Sequence, residues 1–103
     1  MNAKMNNHSI KVLFVDDDED DYIITLDLLS ETRGVKYDLE WTASFDDALA
    51  MMEHNQHDAY LVDYRLGKRN GLELLEESLK KGCRAPIILL SLAPYLLIIC
   101  STA

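Results

Sequence analysis

The chain has 103 residues, with 18 acidic and 10 basic side chains and a formal net charge of −8. Its length fits one domain, and its hydrophobic fraction of 49% is enough for a buried core. An acidic chain without clustered Lys or Arg is a poor ligand for nucleic acid or an anionic membrane surface, so we expect neither as a direct partner. Residues 1–9 are polar and are interpreted as a flexible lead without an export signal, which predicts a cytoplasmic protein.

Strand and helix patterns alternate along the rest of the sequence. In chain order they predict a strand at 11–15, a helix at 22–32, a strand at 37–41, a helix after Ser44, a strand at 59–62, a loop at 64–70, a helix from Gly71 and a strand at 87–90. The helical stripes expected to face the core are Ile24, Leu28 and Leu29 in the first helix and Leu72, Leu75 and Leu79 in the third. This alternation predicts an α/β fold, with a parallel sheet and right-handed crossovers.

Polar side chains follow three of the predicted strands. Asp16 and Asp17 follow the first strand, Asp63 follows the third, and Ser91 follows the fourth. Active groups collect at the carboxyl ends of parallel strands, so we expect these side chains to share one crevice. Facing carboxylates repel one another unless a cation such as Mg²⁺ neutralises them. The alternative is a solvated acidic face at residues 16–21, with Asp63 as a loop-starting cap.

Three segments of the sequence resemble response-regulator receiver domains of the CheY-like type. Segment 12–18, VLFVDDD, is similar to the opening strand and acidic pair of that family. Segment 58–66, DAYLVDYRL, followed by NGLELL at 70–75, is similar to its phosphoacceptor strand, loop and third helix. Segment 85–91, APIILLS, is similar to its fourth strand with the switch hydroxyl. The resemblance implies a flavodoxin-like doubly wound parallel sheet, with residues 10–91 as the receiver core.

The resemblance also implies a role for each matching site residue. Asp63 would be the phosphoacceptor and also a ligand of Mg²⁺. Asp17 would bind the same ion, with Asp16 acting directly or through water. Arg65 would offer its backbone carbonyl to the same ion, and Ser91 would hydrogen-bond the phosphoryl group as a switch. The donor would be a histidine kinase or phosphotransfer protein, and the signal would pass to a downstream protein through contacts. The protein is itself the acceptor, so no enzyme is expected.

The sequence departs from the family pattern after about Ser91. The family continues with a fourth helix, a fifth strand that ends in a lysine, and a fifth helix, whereas the last lysine here is Lys81. Residues 92–103 form an atypical, uncharged, apolar tail, and a shifted reading frame is one hypothesis for it. We therefore expect a receiver fold that lacks its usual last strand and helix. A bare sheet edge and an apolar tail predict a homodimer or a domain-swapped arrangement in which the tail is buried.

Two other functions compete with phosphoryl acceptance. A truncated receiver could act as a binding or dimerisation module that is not phosphorylated, because the lysine that pairs with the phosphoryl group is missing. A Mg²⁺-dependent phosphatase also uses an aspartate at a strand end, but that class places a second aspartate two residues later, where this chain has Arg65. The phosphatase is therefore the least favoured of the three.

Overall fold

The computed structural model describes residues 9–90 and the backbone of residues 97–100. Strands and helices alternate through most of this part of the chain. The elements are β1 (Ser9–Val15), α1 (Glu19–Ser30), β2 (Lys36–Thr42), α2 (Phe45–Glu53), β3 (Ala59–Asp63), β4 (Arg65–Leu66), β5 (Arg69–Asn70), α3 (Gly71–Lys80), β6 (Ile87–Leu90) and β7 (Leu97–Cys100). None of the helices in the described ranges combines the length and the apolar character needed to span a membrane.

The main sheet has the strand order β2-β1-β3-β6-β7. The first four strands are parallel, as the sequence predicts, and helices pack on both faces of the sheet, so the predicted doubly wound α/β fold is confirmed. The edge strand β7 was not predicted: part of the apolar tail runs antiparallel to β6, with Leu97 opposite Leu90 and Cys100 opposite Ile87. The rest of that tail lies outside the described residues.

The two faces of the sheet bury unequal cores. Successive side chains of a strand point to opposite faces, so the apolar run of β1 serves both. Leu13 and Val15 belong to a large cluster beneath α2 and α3, which also contains Phe45, Ala48, Met52, Tyr60, Val62, Leu66, Leu74, Leu75, Cys83, Ile87 and Leu89. Val12 and Phe14 point to the α1 side, where Leu39 is the one further buried member of the described cluster. The α1 side is therefore the thinner layer.

Each of the three helices in the described ranges begins at a side-chain cap. Asp18 caps α1 by accepting a hydrogen bond from the backbone N–H of Asp20 at 2.9 Å. Ser44 caps α2, as predicted, by accepting from the N–H of Asp47 at 3.1 Å. Asn70 and Glu73 form a reciprocal capping box at the start of α3. These caps fix where each helix leaves the carboxyl edge of the sheet.

The predicted core stripes are only partly correct. Ile24 is 57% exposed and Leu28 is 61% exposed, and no residue of α1 is fully buried. Leu29 packs against the sheet, as predicted, and so does Tyr22, because α1 lies against the thin cluster around Leu39. On α3, Leu72 is also on the exposed side, while Leu75 is buried as predicted.

Candidate functional site

Three aspartates meet at the carboxyl edge of the sheet. Asp16 and Asp17 follow β1, and Asp63 ends β3, which is the neighbouring parallel strand. One carboxylate oxygen from each of the three lies within 4.8 Å of the others. The structure therefore brings together the acidic residues that the sequence predicts to converge.

Asp16 is the most enclosed member of the cluster. It is 3% exposed, and its Oδ1 accepts a hydrogen bond from the backbone N–H of Asp18 at 2.9 Å. Its own N–H donates to the carbonyl of Thr42 at 3.2 Å, so the end of β2 holds its backbone. The carboxylate is consequently fixed in direction before any ligand arrives.

Asp17 points to solvent beside the short β4–β5 hairpin. Its Oδ2 accepts a hydrogen bond from the backbone N–H of Gly67 at 3.3 Å. Gly67 has φ of +64°, a left-handed conformation that glycine adopts without strain, and it makes the turn between β4 and β5. The segment 64–70, predicted as a loop, is thus a hairpin whose turn contacts the acidic cluster.

Asp63 is half-buried where β3 ends, with β6 on the other side. Leu90 is its register partner in β6. Gly71 begins α3 directly against this strand end, where a Cβ would overlap the carbonyl oxygen of Asp63 and would lie 2.5 Å from Leu89 Cδ1. A glycine is therefore required for α3 to approach the end of β3 so closely, and α3 then forms one side of the pocket.

Burial and like charge raise the proton affinity of the cluster. Burial is the largest cause that raises the pKa of Asp16 to about 7, and Asp63 and Asp21 add to it. Burial also raises the pKa of Asp63, followed by the charges of Asp17 and Asp21, although the backbone N–H groups of Arg65 and Tyr64 lower it. Ionised carboxylates are costly in this arrangement, which is a destabilising feature unless a positive group shares the pocket.

The donor set fits a hard divalent cation. It consists of carboxylate oxygens from two neighbouring strand ends, and Mg²⁺ prefers oxygen ligands from one or two carboxylates with several waters. The ion pairs within the described ranges lie elsewhere, between Glu40 and His57 and between Arg69 and two glutamates of α3. No described basic side chain therefore neutralises these aspartates.

Two sequence-predicted site residues stay predictions. Arg65 lies in β4, two residues after Asp63, and its N–H is near that carboxylate, but the proposed role of its carbonyl is untested. Ser91 lies outside the described residues.

Two residues near the site were not singled out by the sequence analysis. Asp21, in the first turn of α1, lies close enough to raise the pKa of both Asp16 and Asp63. Its place in the first turn after the cap Asp18 is the signal that could have revealed it. Trp41 donates from its indole Nε1–H to the backbone carbonyl of Asp16 at 2.8 Å, a contact that no spacing in the sequence predicts.

Comparison with known proteins agrees with this geometry. Similar solved structures include a sulfate-bound mutant of the MaeR response regulator, with a TM-score of 0.72 and 21% identity over 84% of this chain and 70% of that one. The non-phosphorylated HemR receiver domain from Leptospira biflexa has a TM-score of 0.68 and 27% identity over 82% and 66%. A CheY-like receiver domain protein from Methanospirillum hungatei has a TM-score of 0.65 and 26% identity over 82% and 65%.

A search among curated protein sequences gave no match. The family model of the response regulator receiver domain matches residues 12–95, which is most of the chain and includes all three clustered aspartates. The chain therefore belongs to the response regulator receiver domain family, the CheY-like receivers of two-component signalling.

Proposed function

We propose that this chain accepts a phosphoryl group on Asp63 from a phosphohistidine of a histidine kinase or phosphotransfer protein. The observation that carries the proposal is the convergence of Asp16, Asp17 and Asp63 within 4.8 Å at the ends of two parallel strands. A carboxylate at such a site can attack phosphorus in line, so that an O–P bond forms on Asp63 as the N–P bond of the donor breaks.

The remaining residues of the pocket would prepare Asp63 for this attack. A bound Mg²⁺ would supply positive charge to the transferring phosphoryl oxygens. Asp16 and Asp17 would hold that ion, with the Arg65 carbonyl as a further ligand. Ser91 would donate its hydroxyl to the phosphoryl group once transfer is complete, as the family resemblance implies.

Two features support phosphoryl acceptance over a passive acidic surface. The raised pKa values of Asp16 and Asp63 indicate a pocket that gains from added positive charge. MaeR, which shares the fold, has been observed bound to beryllium trifluoride, an anion shaped like a phosphoryl group. We propose that Asp63 binds groups of the same shape.

Signalling would then follow from protein contacts. The acceptor is the protein itself, so the reaction leaves a modified receiver rather than a released product. We propose a downstream protein target that distinguishes the two forms, and a cytoplasmic location in which the kinase domain and the receiver meet.

The deciding experiment is phosphorylation with acetyl phosphate and Mg²⁺, read by intact mass. We expect the mass of one added phosphoryl group, its loss in Asp63→Asn, and its suppression by excess EDTA. The matched control is Asp27→Asn, which removes an exposed acid of α1 away from the cluster and should leave the gain unchanged. No gain in the wild type, or a gain that persists in Asp63→Asn, would refute the proposal.

The second candidate function is a dimerisation module that is not phosphorylated, and the edge strand β7 favours it. β7 pairs only with β6, so its other side is an open sheet edge among the described strands. An open edge can pair with the same edge of a second copy. Sedimentation velocity over a wide concentration range tests this: a dimer that a variant lacking residues 97–103 no longer forms supports it, and a monomer at every concentration contradicts it.

A further inference from the structure

One aromatic residue connects β2 to the acidic cluster. Trp41 lies opposite Phe14 in the β1–β2 register, one residue before the end of β2. Its indole Nε1–H donates to the backbone carbonyl of Asp16 at 2.8 Å. Its ring stacks on Tyr22 of α1, with the ring centroids 5.4 Å apart and the planes inclined by 15°. Trp41 therefore contacts α1 through its ring and the backbone of Asp16 through its indole N–H.

The backbone of Asp16 is fastened to β2 on both sides. Its N–H donates to the carbonyl of Thr42, and its carbonyl accepts from Trp41. The hydrogen bond from Trp41 also constrains Asp17, because the peptide bond between Asp16 and Asp17 is planar. The plane that contains the Asp16 carbonyl also contains the N–H and Cα of Asp17. A fixed carbonyl direction thus fixes where the side chain of Asp17 begins.

Few other described contacts restrain the direction of the Asp17 side chain. It is exposed, and its one described hydrogen bond is the 3.3 Å contact with the N–H of Gly67. The indole donor is therefore a principal constraint on the peptide that joins the two neighbouring carboxylates.

We propose that Trp41 is a positioning residue for divalent-cation binding: its indole N–H sets the peptide between Asp16 and Asp17, so that both carboxylates face one ion. This inference rests on the proposed function, since it assumes that the cluster binds Mg²⁺. Outer partners that orient metal ligands typically change metal affinity by about 10–100-fold when they are removed. The proposal predicts an effect at the lower end of that range, because the bond acts through the backbone.

The test measures cation affinity directly, with Mn²⁺ as the probe. Mn²⁺ prefers the same oxygen ligands, and its free fraction is read by electron paramagnetic resonance, with Mg²⁺ as competitor. We expect Trp41→Phe, which keeps an aromatic ring beside Tyr22 and removes the donor, to weaken binding about tenfold. Tyr22→Leu removes the stacking and keeps the donor, so it should weaken binding much less than Trp41→Phe does.

A second variant keeps the test decisive if Trp41→Phe lowers stability. Replacement of Trp41 by benzothienylalanine closely retains the shape of the indole and replaces its N–H by a sulfur atom, which donates no hydrogen bond. It should weaken Mn²⁺ binding to the same extent as Trp41→Phe, with an unchanged circular dichroism spectrum. Equal losses in Trp41→Phe and Tyr22→Leu, with none in the isostere, would show that Trp41 acts by packing and would overturn the proposal.

The same titration distinguishes failure of the proposed function from failure of the positioning role of Trp41. If wild-type protein does not bind Mn²⁺ or Mg²⁺, the proposed function fails, and the positioning role fails with it. If the wild type binds and the isostere binds equally well, only the positioning role is refuted. The single tryptophan supplies an independent signature: its fluorescence in the wild type should change saturably with Mg²⁺, and Asp17→Asn should abolish that change.

Discussion

The protonation state of Asp16 should make the metal-free protein less stable as the pH rises. Burial and the neighbouring acids raise the pKa of this carboxyl to about 7, from an ordinary value of 3.8. A carboxyl whose pKa is higher in the folded state favours folding while it is protonated, and that contribution is lost as the pH rises from about 4 through about 7. The expected direction is therefore the reverse of that of an ordinary ion-paired aspartate.

The size of the effect follows from the same two pKa values. Each tenfold change in proton affinity is worth about 1.4 kcal/mol, so the difference sets an upper bound of about 4 kcal/mol for Asp16. Most of this loss of stability falls between pH 5 and pH 8. Over that interval we expect the free energy of unfolding of the metal-free protein to fall by about 2 kcal/mol or more. Mg²⁺ at about 100 times its dissociation constant would restore about 2.7 kcal/mol at pH 8.

Urea denaturation at pH 5 and pH 8, followed by circular dichroism with EDTA present, measures this dependence. Asp16→Asn retains the oxygen that accepts from Asp18 and removes the charge, so it should be more stable than the wild type at pH 8 and show a flatter pH profile. A residual slope should remain, because the pKa of Asp63 is also raised. The control is Asp38→Asn, an exposed acid on β2, which should follow the wild-type profile. Stability that rises from pH 5 to pH 8 without metal would refute this reasoning.

Three further predictions concern packing, each measured as the free energy of unfolding in urea. Gly71→Ala should destabilise by about 2 kcal/mol or more, because its Cβ would lie 2.5 Å from Leu89 Cδ1 and would overlap the adjacent strand end; an unchanged midpoint would contradict that contact. Tyr60→Phe should be neutral or stabilising, since the buried hydroxyl has no hydrogen-bond partner among the described residues. Leu28→Ser should cost less than about 0.5 kcal/mol at its exposed site, whereas Leu74→Ala in the core should cost about 2–5 kcal/mol, and similar losses in both would show that α1 is covered in solution.

The parallel sheet and the acidic cluster could be predicted because both depend on local pattern. Each central strand is a short apolar run that ends in an acidic or hydroxyl residue, and parallel topology then places those ends together. Asp16 and Asp63 required no tertiary information beyond that rule. Trp41 and Gly67 did, because one donates across strands and the other through a hairpin turn that contains no recognisable site motif.

The prediction that Ile24 and Leu28 of α1 face the core was wrong for a physical reason. A stripe of Ile24 and Leu28 predicts burial only if something covers that flank of the helix. Asp21 lies three residues before Ile24 on this helix, and its charge raises the pKa of Asp63 at the end of β3. On the α1 side of the sheet, Leu61 of β3 and Leu90 of β6 are only half-buried and pack beside the small cluster of Val12, Phe14 and Leu39. Ile24 and Leu28 are thus apolar side chains without cover among the described residues, and the stability of Leu28→Ser measures whether they are covered in solution.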